Sequence, residues 1–214
     1  MYESERKEIL ETARALDRYE LIALSGGNVS MRVGKDGILV TPSGMLYTTM
    51  VPEDILLVSL AGEIKEGSRR ASVDTGALRY IYDHMPEVNA IIHTHQPYAT
   101  ALGLVMDRIP CNVTTLANAT RGSVVVAPYT SAASVEMGVA AVNYLGDKLA
   151  VVLRNHGVIA IGKSLRQALY SCVYLEEAAK TQAIAYCIDK NVRELTDAQV
   201  ARAVEVFEDY GQKS

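Results

Sequence analysis

The chain of 214 residues is 49% hydrophobic, enough to bury a sizeable core, and its simplest organisation is one compact domain over residues 1–214. Lys+Arg 21 against Asp+Glu 25 gives a formal net charge of -4, which excludes a global electrostatic pull toward nucleic acid or a membrane surface; an anionic ligand has to be held by local donors. Cys111, Cys172 and Cys187 show no CxxC spacing, no signal peptide precedes Tyr2-Glu3, and no run approaches the roughly 18 apolar residues that cross a bilayer, so a reducing cytoplasm is the expected setting.

In chain order, Glu3 to about Tyr19 sets Ile9, Leu10, Ala13 and Leu16 among charges, an amphipathic helix with Ile9 and Leu16 facing in. Ser25-Gly26-Gly27-Asn28 then forms a turn into alternating Val29, Met31 and Val33. Its glycines let backbone N–H groups approach a ligand and Ser25 and Asn28 add side-chain donors, so it reads either as an anion cradle or as an ordinary turn. It matches neither a Walker A loop nor GxGxxG. Gly37 to Thr41 is a strand paired with Val29 to Val33 across Gly34-Lys35-Asp36-Gly37, and Pro42-Ser43-Gly44 breaks it to give a second candidate phosphate loop. Ile55 to Leu60 and Glu63 to Gly67 form a hairpin around Ala61-Gly62.

The next helix is signalled by Leu78, Ile81 and Tyr82, with Ser72 as its N-cap and Asp74 in its first turn, where the macrodipole favours a carboxylate. Simple capping therefore explains Asp74. A functional role requires this helix to run antiparallel to the strand that follows, which brings Asp74 to that strand's end.

That strand is Ile91-Ile92-His93-Thr94-His95. Side chains alternate on a strand, so His93 and His95 project to the same side and their imidazoles can converge on one ion. His156 likewise follows an apolar run, Leu149 to Leu153. Three neutral imidazoles with an open fourth position suit a catalytic zinc, whereas a structural zinc is closed by four ligands, usually including thiolates. Buried histidines that merely satisfy hydrogen bonds are the alternative, which the paired spacing and strand-end placement disfavour.

Beyond His95, Tyr98 to Leu104 reads as helical, Ile109 to Thr115 as extended, Ser123 to Tyr129 as a strand and Ser134 to Leu145 as a helix. After the His156 turn come a strand over Val158 to Ile161, a long helix from Ser164 to about Asp189 and a last helix from about Asp197 to Tyr210. Strands and helices alternate, which predicts α/β architecture with helices flanking a mixed sheet.

Taken together and in this order, Gly27-Asn28-Val29-Ser30, Thr41-Pro42-Ser43-Gly44, Ser72-Val73-Asp74, His93-Thr94-His95, Asn155-His156-Gly157 and Tyr210-Gly211 resemble the class II aldolase and adducin-head family. The likeness is to its zinc-dependent L-fuculose-1-phosphate aldolases and the related L-ribulose-5-phosphate 4-epimerases. The resemblance implies a three-layer αβα sandwich around a central, mainly antiparallel sheet, and a homotetramer with active sites at subunit interfaces. It implies zinc, with manganese or cobalt as substitutes, held by His93, His95 and His156. A substrate phosphate would be gripped by Ser25, Asn28, Ser43, Gly44 and Ser72, with Asp74 as acid/base and Tyr210 reaching into a neighbouring subunit's site. The implied reaction is reversible cleavage of a ketose 1-phosphate, such as L-fuculose 1-phosphate, to dihydroxyacetone phosphate and an aldehyde such as lactaldehyde.

Five positions depart from the family's patterns. The aldolases have a glutamate where this chain has Asp74 and often a tyrosine near Thr114, and a second serine is replaced by Val73. Asp74-Thr75 is epimerase-like, yet the epimerases carry a lysine at Thr41 and a catalytic aspartate near Asn118. An amide exchanges no proton near neutral pH, which disfavours epimerisation. L-Ribulose-5-phosphate 4-epimerase and a non-catalytic adducin-head-type scaffold remain the alternatives.

Overall fold

The computed structural model describes residues 1–208. Its strands are β1 (Asn28–Val33), β2 (Gly37–Val40), β3 (Leu56–Val58), β4 (Ile64–Glu66), β5 (Ala90–Thr94), β6 (Arg108–Ile109), β7 (Val124–Ala127), β8 (Ala150–Leu153) and β9 (Gly157–Gly162). The helices are α1 (Glu3–Arg18), α2 (Thr75–His84), α3 (Pro97–Val105), α4 (Thr114–Thr120), α5 (Val135–Leu145), α6 (Leu165–Ile188) and α7 (Asp197–Glu208). The strands form one sheet in the order β4-β3-β2-β1-β5-β9-β8-β7-β6. Every pairing is antiparallel except β7 with β8.

Strand alternation builds two cores. Val29, Leu39, Ala90, Ile92, Val152, Val158 and Ala160 pack with Ile9 and Leu16 of α1 and with Leu165, Ala168, Cys172 and Leu175 of α6. Their neighbours Ile38, Val40, Ile91, Val151, Leu153, Ile159 and Ile161 face Leu78, Ile81 and Tyr82 of α2 and Met137 and Ala141 of α5. The molecule is therefore the expected αβα sandwich. Strands β2, β8 and β9 are apolar on both faces because each face is covered by helices.

β5 lies in the middle of the sheet, in register with β1 through Asn28↔His93 and Ser30↔Ile91, and with β9 through His93↔Ile159 and Thr94↔Val158. On one side α2 descends antiparallel to β5: Tyr82, near its end, shares a 3.0 Å hydrogen bond with Ser30, while its start meets the His93 end of the strand.

Two sequence expectations are corrected. The stretch read as extended to Thr115 becomes helical at Thr114, giving α4. Its threonines disfavour a helix locally, but burial of Leu116, Ala117, Ala119 and Thr120 between its neighbours overrides propensity. Helix α2 begins two residues later than Ser72 implied, with Asp74 itself at the N-cap, because Ser72 Oγ accepts the Asp74 N–H at 3.3 Å and its carbonyl accepts from Thr75.

Candidate active site

The His93 side chain leaves β5 on the α2 side, with 1% of its surface exposed. Its Nδ1 lies 2.9 Å from the Val158 carbonyl, which can only accept, so the proton sits on Nδ1 and Nε2 presents a bare lone pair. Burial, followed by the neighbouring His95 and His156, pushes the His93 pKa down to about 3, opposed by the Val158 bond. The ring is neutral at physiological pH, the state in which imidazole binds metal.

His95, two residues on, is exposed, and its Nε2 stands 3.1 Å from His93 Nε2. His156 arrives from the β8–β9 turn, where Asn155 takes a left-handed φ of 61°. Ring centroids are 4.8 Å apart for His93–His95 and for His93–His156, and 5.2 Å for His95–His156. One ligand atom from each of the three lies within 4.8 Å of the others. Nitrogens about 2.0–2.1 Å from one tetrahedral zinc stand roughly 3.3 Å apart, so the closest pair already matches such an edge. His156 Nδ1 is buried with no partner among the described residues, as expected of a group that awaits one. The three histidines fit a divalent metal ion.

Close backbone approach sets this convergence. At Gly157 a Cβ would lie 2.1 Å from the Thr94 carbonyl oxygen and 3.1 Å from His95 Cδ2. At Gly27, with φ +74°, a Cβ would lie 2.3 Å from the His93 carbonyl oxygen. The glycine-rich turn is thus required by its packing on the histidine strand, whatever it binds.

Asp74 occupies the N-cap position of α2 without a side-chain cap bond. Its side chain makes no hydrogen bond to its own helix; instead Oδ2 accepts from Asn28 Nδ2 at 2.9 Å and stands 4.0 Å from His93 Nε2. Burial raises the Asp74 pKa above the usual carboxylate range, against the opposing pull of His156, His95, the Ala133 backbone and Asn28. α2 brings this shorter acid to the histidines.

The residues read as phosphate donors come from three neighbouring loops. Asn28 is buried, touches Asp74 and leaves Oδ1 without a partner among the described residues. Pro42 bridges Ala71, and Ser43 N–H donates to the Arg70 carbonyl at 2.9 Å, which sets Ser43 and Gly44 beside buried Ser72. Ser25 is half-buried just before the Gly26-Gly27 turn. Val73 points outward, 55% exposed. Tyr210 lies outside the described residues. Thr41 is fully buried and its hydroxyl accepts the Val29 N–H at 3.2 Å, while Asn118 sits on α4 with Oδ1 buried and unpaired among the described residues.

Sequence reasoning passed over Gln96 and Glu176. Both are buried behind the histidine strand, and no spacing signal marks them because they come together only through tertiary packing of α3 on α6.

Residues 7–183 match the model of the Class II Aldolase and Adducin N-terminal domain family. The chain belongs to this family. Among its relatives, the class II aldolase is 30% identical over 98% of its own length and 93% of the other's to the 5-methylthioribulose-1-phosphate/5-deoxyribulose-1-phosphate aldolase of Rhodospirillum rubrum. It is 29% identical to the L-fuculose phosphate aldolase of Escherichia coli, over 96% of this chain and 94% of the other. A solved structure of an L-fuculose 1-phosphate aldolase superposes with a TM-score of 0.89 at 27% identity, covering 95% of each chain.

Proposed function

We propose that this class II aldolase reversibly cleaves a ketose 1-phosphate to dihydroxyacetone phosphate and an aldehyde, using zinc held by His93, His95 and His156. The observation that carries the reading is the convergence of three imidazoles beside a buried carboxylate, with Asp74 Oδ2 4.0 Å from His93 Nε2. A divalent ion bound there supplies Lewis-acid stabilisation of the negative charge that develops as the C–C bond breaks. Manganese or cobalt suits the same imidazoles.

Asp74 moves the proton at the donor carbon that retains the bonding electrons. Its carboxylate is enclosed 4.0 Å from His93 Nε2, within reach of a substrate carbon held at the histidines. Asn28 fixes that carboxylate through its amide N–H. Ser25, Ser43, Gly44 and Ser72, with Asn28, hold the 1-phosphate through neutral donors, in keeping with a chain whose formal net charge is -4. Tyr210, from an adjacent subunit of a homotetramer, exchanges a proton with the aldehyde oxygen.

The substrates in the relatives' names are all ketose 1-phosphates, and each lacks a hydroxyl at its far carbon, which supports a deoxygenated aldehyde fragment such as lactaldehyde. Thr41 and Asn118 speak against epimerisation: Thr41 carries no charge and its hydroxyl is engaged inside the sheet, and an Asn118 amide transfers no proton. No described helix is long and apolar enough to cross a membrane, and all three cysteines are free, which supports a reducing cytoplasm.

The test is to incubate zinc-loaded protein separately with L-fuculose 1-phosphate, 5-deoxyribulose 1-phosphate and L-ribulose 5-phosphate. Dihydroxyacetone phosphate is expected from one or both of the first two. D-Xylulose 5-phosphate from the third, with no three-carbon product from any, overturns the reading in favour of epimerisation. No turnover of any substrate by metal-replete protein points to the scaffold.

A further inference from the structure

Between His93 and His95, Thr94 projects to the opposite face of β5, toward α6. It is fully buried, and its hydroxyl donates to Gln96 Oε1 at 2.7 Å. Gln96, equally buried, donates through Nε2 to the Cys172 carbonyl of α6 at 3.2 Å. One turn further along α6, the Glu176 carboxylate accepts from the backbone N–H of Tyr98 at 2.7 Å and of Ala99 at 2.9 Å. Cys172 and Glu176 are four residues apart, so both face the same stretch of chain.

That stretch is the start of α3, the residues directly after His95. Its N-cap, Gln96, gives no side-chain cap, and Pro97 has no N–H, so the first orphan donors belong to Tyr98 and Ala99. Both end on one carboxylate from a distant helix. A serine or aspartate at position 96 would satisfy the same donors locally without drawing a charge from α6 into the interior, where Glu176 keeps 7% of its surface exposed. What a local cap cannot do is tie the start of α3, and with it the end of β5, to α6.

His95 is the ligand that needs such a tie. The His93 ring is locked by Val158, but among the described residues no carbonyl or carboxylate accepts from the His95 ring, which is exposed. Among the described residues its main chain is held by one bond, to the Leu21 carbonyl at 3.2 Å, and by the backbone that follows it.

We propose that Glu176 is a positioning residue of the metal centre, fixing His95 in ligating geometry by anchoring the Gln96–Ala99 turn to α6. The inference rests on the three-histidine metal reading above. Supporting groups of this kind change metal affinity by roughly 10- to 100-fold when removed.

The experiment measures zinc affinity of metal-stripped full-length protein by competition with a chromogenic chelator, and thermal stability beside it. The variants are Glu176→Ala, Glu176→Gln and, as control, Ser171→Ala, which removes a different buried α6 bond, the 2.6 Å contact to the Ala119 carbonyl. Glu176→Ala is expected to weaken zinc binding about 10- to 100-fold and Glu176→Gln, which keeps one acceptor oxygen, by about tenfold or less. Ser171→Ala should lower stability yet bind zinc within about twofold of the wild type, since its bond lies away from the histidine turn. Where Glu176→Ala does not fold, the near-isosteric Glu176→Gln carries the test. Unchanged zinc affinity in the Glu176 variants, or an equal loss in Ser171→Ala, overturns the positioning role while the metal site stands. A wild type that binds no zinc removes the metal reading and this inference with it.

Discussion

The two faces of β5 are built on opposite rules. Behind the strand, Thr94, Gln96, Cys172 and Glu176 form a buried polar chain whose donors meet acceptors. In front of it, His156 Nδ1 and Asn28 Oδ1 are buried without partners among the described residues, two imidazole nitrogens stand 3.1 Å apart, and a carboxylate is enclosed beside them. Unpaired buried polar groups cost free energy, and on the front face two of them lie among the histidines and the carboxylate, which supports the metal proposed there. The paired chain behind the strand supplies rigidity where the histidines leave it.

The comparison breaks most severely at His93, whose Nε2 is central to the front face. His93→Ala should abolish zinc binding and turnover together, measured by elemental analysis and by release of dihydroxyacetone phosphate; a variant that remains fully active without metal removes the site. Asp74→Asn comes next. The amide keeps the shape and loses the proton, so zinc should remain largely bound while turnover falls by about 100-fold or more. Unchanged turnover would return Asp74 to a purely structural role.

A third change acts on the strand itself. Gly157→Ala drives a methyl toward the Thr94 carbonyl, 2.1 Å from where a Cβ would sit, and the β5–β9 pairing has to open to admit it. A loss of about 1–3 kcal/mol is expected in denaturant unfolding, the ordinary scale of overpacking, with weaker zinc binding because His95 and His156 flank that contact. Normal stability with intact zinc affinity would show that the approach is not required.

Much of this could be read from the chain because the decisive features are local. The alternation that places His93 and His95 together, the amphipathic α1 with Ile9 and Leu16 inward, and the hairpins of β1–β2 and β3–β4 depend on periods of two and 3.6 residues and on turn chemistry. The role of Asp74 was not decidable that way: at a helix start a carboxylate signals a cap, and only the packing of α2 beside β1 reveals that its partner is Asn28. Helix α4 was hidden by its threonines, and Glu176 carries no signal because its donors lie 77 and 78 residues away along the chain. Long-range polar closure has no sequence period.

The last test separates imidazoles from carboxylates by pH in metal-stripped protein. His93 has its folded pKa pushed down to about 3, from an ordinary value near 6.5 that the unfolded chain retains. Between these values the unfolded state holds a proton that the native ring refuses, so stability is full above about pH 6.5 and falls as the pH drops toward 3, by up to about 1.4 kcal/mol per pH unit. His95 and His156, also shifted down by burial, act in the same sense. Glu176 behind the strand and Asp74 in front of it act in reverse: burial raises both pKa values, so their contribution is present at low pH and is lost as the pH rises through the folded values. The measured slope between pH 4.5 and 6.5 is therefore a difference between the imidazoles and these two carboxylates, and Glu176→Gln, which titrates nothing, should steepen the acid loss while His93→Gln flattens it. Urea unfolding at successive pH values reads both. If His93→Gln leaves the slope unchanged, the buried neutral imidazole is not the group whose protonation opens the front face.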